Sequence, residues 1–458
     1  MKFAEAAEEG KVHHILVVAH GHNPAISPAT LDEWLNRTPK SCLGIMFSEL
    51  NVTAFNLPEN VRYKAKFDEF IARSFLPLID TAAKHGKHSH MLMKMNWWVS
   101  VPSMGDLGKK LFAPERRQWI VPSVEESGAT TPELDFMGWM GLWRSGLVES
   151  WAANIIHDQM VINSHLTEWD PSDPHHLLRH LVASAASGAT HFKGLLYGYT
   201  IDRFGKYSLP DNPLRYTTFG QLSQDIFLEL LDKGILDVPT PETIVGISPV
   251  AFRFDEPSPA FLDCDNHSVS NVPPRIPPVS ANGLFTGSEW AFAATRGTFA
   301  PRYLLKIDRY GHAFIPETPF GLPTIVPSWF APTRLPYIER EWKTDGIDII
   351  TPDGHRSAAE MKDAILASFQ DAAKKLPIRA SNCFWMGTRR AGGTIRVTLV
   401  ESPYVDPMGA DVELIAAGPI QSLRDVIADE SVAFAGDSAK LRIPAGAFRM
   451  VEVRLSKP

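Results

Sequence analysis

The sequence predicts an α/β fold, a (β/α)8 TIM barrel followed by a C-terminal antiparallel β-sandwich. Three observations carry this reading. Short runs rich in Ile, Val, Leu and Met alternate with longer amphipathic stretches, as in successive βα units. Eight such runs and eight helical stretches are found, the number a (β/α)8 barrel needs. No GxGxxG follows the first run, which argues against the competing doubly wound open sheet.

The first run is His14–His20, followed by a helix over Pro28–Arg37 with Ser27 as N-cap and Pro28 in the first turn. The second run, 43–49, precedes a helix over 67–85 that Gly86 closes. The third, 90–96, leads to a short helix over 106–116, and the fourth, 119–126, to a helix over 134–150. The fifth, 153–158, is followed by a helix over 175–186 closed by Gly188, and the sixth, 192–199, by one over 219–233. The seventh run, 244–252, opens into a Pro-rich insertion near 255–298, and a loop of that length is usually functional. A helix over 301–309 follows. The eighth strand is assigned to 324–327, with 347–350 as part of a loop hairpin, and the last helix to 357–375. Residues 1–380 thus read as the barrel and 381–458, with short alternating strands and no helix, as the sandwich.

Net charge is −7 over 458 residues and there is no Lys/Arg-rich run, so a nucleic-acid partner is not expected. No apolar stretch approaches the ~18 residues of a membrane span. The opening residues are too acidic for a secretory signal, which gives a cytoplasmic expectation for the chain as written, or a secreted or periplasmic one if a leader has been removed. Three distant cysteines, Cys42, Cys264 and Cys383, provide neither a disulfide framework nor a CxxC metal site. The 12 Trp and 25 Phe supply rings on which the apolar face of a sugar can stack.

A barrel places its chemistry at the C-terminal ends of its strands, which turns the strand assignment into a list of candidates. Several carboxylates fall there, as glycoside hydrolysis requires: one carboxyl as general acid, a second as nucleophile or base. Glu126 and Asp158 are the first choice, with Glu49 and Glu125 as substitutes. Glu125 and Glu126 alternate along one strand, so only one of them points into the mouth. Substrate contacts are expected from His20, His22, Lys94, Asn96, Trp97, Trp98, Tyr197, Tyr199 and Asp255. Lys94 either binds an anionic substrate group or pairs with Glu49 or Glu126; one of Trp97 and Trp98 stacks on a sugar while the other packs against loops. Asp255 and Glu256 belong to a Pro-rich stretch and otherwise read as a solvated loop. His20 and His22 form an HxH that binds zinc in amidohydrolase-type barrels, but the later strand ends lack the remaining ligands. Neither metal nor cofactor is therefore expected. A metal-dependent hydrolase and a non-catalytic carbohydrate-binding barrel are the alternatives.

Val121-Pro-Ser-Val-Glu-Glu-Ser127, Gly138-Trp-Met-Gly-Leu-Trp-Arg-Ser-Gly146 and Asn154-Ile-Ile-His-Asp158 resemble segments of barrel hydrolases acting on algal galactans, such as λ-carrageenases. The resemblance implies hydrolysis of a sulfated polysaccharide, with Lys94, Arg144 and Arg203 as sulfate contacts. The chain departs from the large Glu/Glu barrel clan, which ends its fourth strand in Asn-Glu and carries a second Glu at strand seven. Here those places hold Glu125-Glu126-Ser127 and Phe254-Asp255-Glu256.

Overall fold

The computed structural model describes residues 2–20, 23–24, 26–51, 68–69, 71–94, 97–125, 132–154, 175–193, 218–258, 317–330, 337–346, 348–402 and 408–456. The first sheet comprises β1 (His14–His20), β2 (Asn23–Pro24), β3 (Cys42–Asn51), β4 (His88–Lys94), β5 (Ile120–Glu125), β6 (Ala152–Asn154) and β7 (His191–Lys193), in the order β2-β1-β3-β4-β5-β6-β7. β2 returns antiparallel to the end of β1, and all other neighbours are parallel. The sheet is strongly curled. Strands at ~4.8 Å spacing would leave β4 and β7 about 14 Å apart in a flat sheet. Yet the rings of His90 and His191 approach to 5.1 Å across the concave face, with β5 and β6 between them.

The helices of this half are α1 (Lys2–Glu9), α2 (Pro28–Arg37), α3 (Leu76–Lys84), α4 (Trp97–Ser103), α5 (Gly105–Leu111), α6 (Pro132–Arg144), α7 (His175–Ala186) and α8 (Thr218–Asp232). Local signals set several ends. The Ser27 hydroxyl accepts from the Thr30 N–H at 3.1 Å and Pro28 occupies the first turn of α2. Gly188, at φ +96°, ends the turn after α7, and any Cβ there would lie 2.4 Å from the Trp143 ring. α1 has no counterpart in the sequence reading. It docks through buried Ala4 and Ala7, and through the Glu8 carboxylate, which accepts from the Ser41 and Lys40 N–H groups at 2.8 and 3.2 Å.

A second sheet is built from β9 (Ile247–Phe254), β10 (Leu322–Pro327), β11 (Arg340–Thr344), β12 (Asp348–Thr351) and β13 (Gly354–Ser357), preceded by the short β8 (Ile244–Val245). β9 lies between β10 and β11 and is parallel to both, while β12 and β13 add antiparallel hairpins. Every residue of β9 and β10 is buried, which is why both read as unbroken apolar runs. One face of this sheet carries α9 (Ala358–Ala373), opened by a reciprocal cap between Ser357 and Glu360. Against α4 and α6 it presents β10: the Trp329 indole donates to the Pro102 carbonyl at 2.7 Å, and Gly141 of α6 rests directly on the Ile325 backbone.

The expected barrel is seen in part. Among the described residues, β9 and β10 pair neither with β7 nor with β1; β10 lies over the helices that follow β4 and β5. The observed architecture is a mixed α/β fold with a curled half-barrel of six parallel strands and a separate second sheet. The cause is visible in α4 and α6, where Trp97, Trp98, Val99 and Val101 in one and Met137, Met140, Leu142 and Trp143 in the other are all buried. A helix that is apolar all round must be covered on both sides.

The remaining strands are β14 (Ile378–Ala380), β15 (Phe384–Arg389), β16 (Thr394–Val400), β17 (Ala410–Ala416), β18 (Ile420–Asp425), β19 (Glu430–Ser431), β20 (Ser438–Ile443) and β21 (Phe448–Leu455). They form two antiparallel sheets, β14-β17-β20 and β19-β18-β21-β16-β15-β8, around a core that includes Trp385, Val397, Leu414 and Val453. The second sheet takes its edge strand, β8, from far upstream. Buried Arg396 donates to the carbonyls of Gly234 and Ile235 after α8, at 3.2 and 2.6 Å, and to Glu452 at 3.1 Å. Arg390 reaches the same turn through the Gly234 carbonyl and the Asp237 carboxylate. Arg179 of α7 donates to the Glu401 carbonyl at 2.7 Å.

Two outcomes follow from these contacts. In Gly141→Ala the new Cβ would sit 1.9 Å from the Ile325 carbonyl oxygen. Despite its better helix propensity this variant should lose at least about 2 kcal/mol in urea unfolding. Arg396→Met takes the side-chain donor from the Ile235 carbonyl and leaves the Gly234 carbonyl and Glu452 to Arg390 alone, and should cost about 2–4 kcal/mol, read as a lower denaturation midpoint.

Candidate active site

The C-terminal ends of the curled sheet are fixed by register. His20 stands opposite Ser48, and Asn51, Lys94 and Glu125 form one row across β3, β4 and β5. A carboxylate residue and an amine residue thus end neighbouring strands at the same level, about 4.8 Å apart along the sheet. Glu49 falls where the β3–β4 register shifts between Ser48 and Leu50, an irregularity of the kind that re-aims side chains beside active sites. For Glu49, Lys94 and Glu125 the backbone alone is described. Asn51 joins this row without having been singled out from the sequence, where nothing but its place after an apolar run marked it.

Glu126 follows the last residue of β5, and Asp158 lies four positions beyond the end of β6. Both are outside the described residues, as are His22, Asn96, Tyr197, Tyr199 and Arg203. His20 is exposed at the end of β1.

Three of the expected substrate contacts lie within the described residues and away from the row of strand ends. Trp97 and Trp98 are 0% and 1% exposed, packed edge to face, and the Trp98 indole donates to the Ser123 carbonyl at 3.0 Å. Neither ring has an open face for a sugar; both belong to the core beneath β10. Asp255 directly follows β9, in the second sheet, and its carboxylate pairs with the Lys343 ammonium at 2.6 Å and accepts from the Ser328 hydroxyl at 2.8 Å. Burial pushes its pKa up, but Lys343 and Ser328 outweigh that and hold it below the ordinary carboxylate range.

Three imidazoles gather on the concave face near the strand starts. His191 lies 5.6 Å from His88 and 5.1 Å from His90, and Trp119 lies 5.7 Å from His88. His88 and His90 share a face because they are two residues apart on one strand. Burial lowers the pKa of His88, with Glu149 opposing; burial and then the charge of His88 lower that of His191. The sequence signal was His-Ser-His at the start of β4, overlooked because the barrel rule directs attention to strand ends.

Comparison with known proteins follows this layout. The family model for the lambda-carrageenase middle domain matches residues 17–203, which contain the curled sheet from Val17 onward, and that for the lambda-carrageenase C-terminal domain matches 380–454, within the sandwich. Lambda-carrageenases of Pseudoalteromonas carrageenovora and of a Pseudoalteromonas species are each 25% identical over 442 residues, covering 87% of this chain and 43% of the relative. The chain resembles lambda-carrageenases. It spans less than half the length of these relatives. The catalytic module of a family 98 glycoside hydrolase from Streptococcus pneumoniae superimposes with a TM-score of 0.52 at 10% identity, covering 98% of this chain and 86% of that one. Its complex with the LewisY pentasaccharide gives 0.51 at 11% identity, with the same coverage. These structures are alike in fold. The lambda-carrageenase likeness embraces both the row of strand ends and the residues Glu126 and Asp158.

Protonation of enclosed imidazoles sets a pH limit on this framework. Burial drives His180 of α7 down to about 4, and its Nδ1 has no partner. The fold favours neutral imidazole, so stability is full above the unfolded pKa of ~6.5 and declines as pH falls towards about 4. His180 alone should contribute about 2–3 kcal/mol to that decline. Urea midpoints at pH 7 and pH 4.5 should therefore differ less in His180→Gln than in the parent.

Proposed function

We propose that this chain is the catalytic part of a glycoside hydrolase that cleaves glycosidic bonds of a poly- or oligosaccharide, with a sulfated galactan of the lambda-carrageenan kind as substrate class. The observation that carries the reading is the match to two lambda-carrageenases over 87% of the chain. The paired-carboxylate chemistry is assigned to Glu126 and Asp158. They follow β5 and β6 in sequence, and these two strands are hydrogen-bonded neighbours. One acts as general acid towards the leaving oxygen, the other as nucleophile or as base for water. Glu125, in register with Lys94, and Glu49, at the β3 irregularity, are the reserve carboxylates. His20, His22, Asn96, Tyr197 and Tyr199 complete the substrate contacts of this reading.

The catalytic unit is placed at 1–380 with its insertion near 255–298, and the sandwich at 381–458. Its finer fold, a closed eight-stranded barrel, requires two further strands between β7 and β1; β7 ends the sheet among the described residues, and β2 borders β1 only at Ala19 and His20.

The test is release of reducing ends from a polysaccharide panel that includes sulfated galactans. Glu126→Gln and Asp158→Asn should each lower kcat by about 10²–10⁴-fold while leaving the melting temperature unchanged. Full activity in both variants would transfer the chemistry to Glu49 and Glu125. Folded protein that releases no reducing ends from any polysaccharide would overturn the assignment.

A further inference from the structure

The register of the curled sheet extends the row of Asn51, Lys94 and Glu125 across two more strands. Ser123 of β5 is paired with Ala152 of β6, so two residues further on Glu125 and Asn154 stand at one level. Asn154 is in turn paired with Lys193 of β7. Five successive parallel strands, β3 to β7, therefore close on one row: Asn51, Lys94, Glu125, Asn154 and Lys193. Each is the last residue of its strand.

Alternation assigns the row to the concave face. Lys94 is four residues after His90 and Lys193 two after His191, and the rings of these histidines meet across that face. The next layer down on the same face is Ser48, Leu92, Ser123, Ala152 and His191. The first four of these are buried. Within one two-residue step the face thus changes from small and apolar residues to amides, amines and a carboxylate. A charged residue in the buried layer would be costly. The charges begin only where the strands end, the level at which parallel sheets receive their ligands.

The order of residues along the row selects the ligand. Glu125 stands one strand from Lys94 and two from Lys193. An anionic group laid along the row would meet a like charge between the two amines. A sugar hydroxyl meets no such obstacle, because it donates to a carboxylate, accepts from an ammonium and does both with a carboxamide. Neighbouring positions are about 4.8 Å apart along the sheet, close enough for one sugar ring to be held from two strands.

We propose that Asn154 and Lys193 are further sugar-binding residues of the proposed active site, taking ring hydroxyls in the row centred on Glu125. The proposal rests on the reading of that site as carbohydrate-binding and is independent of which carboxylates carry the chemistry.

The experiment measures binding and turnover on the full chain. The parent, Asn154→Ala, Lys193→Met and Lys193→Gln are titrated calorimetrically with a sulfated galactan oligosaccharide, and KM and kcat are taken on the corresponding polysaccharide. Asn154→Ala and Lys193→Met should each weaken binding at least about fivefold and raise KM by a like factor, with kcat changed less and the melting temperature unchanged. Lys193→Gln, which keeps an N–H donor without the charge, should recover most of what Lys193→Met loses. Parent-like affinity and KM in folded Asn154→Ala and Lys193→Met overturn the proposal and leave the hydrolase reading in place. Lys193→Gln as weak as Lys193→Met overturns the assignment to hydroxyls, since the charge itself is then what binds. Binding that depends on Asn154 and Lys193 in a protein that turns over no polysaccharide retains the row and removes the hydrolase assignment. A parent that neither binds the oligosaccharide nor turns over the polysaccharide overturns both.

Discussion

Two helices that are apolar on every face determine how the rest of this molecule is arranged. α4 and α6 follow β4 and β5, where a barrel would give each one wet face, but their Trp, Met and Val side chains leave none to spare. Water must be excluded from both sides, at roughly 25 cal/mol per Å² of apolar surface. The curled sheet supplies one cover and β10 the other. The contact with β10 is close enough that Gly141 has no side chain where it meets Ile325.

The sandwich stands in a similar relation to the helices that follow β6 and β7. Arg179, Arg390 and Arg396 are charged groups placed against main-chain carbonyls, where a planar guanidinium satisfies several acceptors from one position. Those helices follow, in sequence, the stretches that contain Asp158 and the pair Tyr197 and Tyr199. The Glu401 carboxylate strengthens the sandwich from within by accepting from the N–H groups of Met408, Gly409 and Gly446.

Much of this was legible in the residues. β1 and α2 match their expected bounds because an apolar run and a Ser-Pro cap are local signals. α7 and its closing Gly188, and the hairpin near 348–357, were legible for the same reason. The neighbours of β9 and β10 were not, since an unbroken apolar run announces burial on both faces and is silent about what buries it. α4 was missed because Trp-Trp-Val-Ser-Val-Pro-Ser has the β-branched residues and proline of a loop or strand, and its helical form is imposed by packing. The strand-end rule pointed to Glu125 and Lys94, which end β5 and β4 opposite one another. It also nominated Asp255, which a different sheet holds and Lys343 occupies.

The loan of Ile244 and Val245 to the sandwich also bears on how such a protein can be recombined. β8 lies between the two segments that match carrageenase domains, in a part of the chain neither match includes. A breakpoint at residue 380 would look clean by sequence, yet it would strip the edge from β15 and expose a row of backbone donors and acceptors to any passing strand. Shuffling of this sandwich between enzymes is therefore penalised by self-association unless the donor travels with it. Lineages that exchange it should carry the stretch around 244–245 along, or evolve a charged or proline-bearing edge in its place.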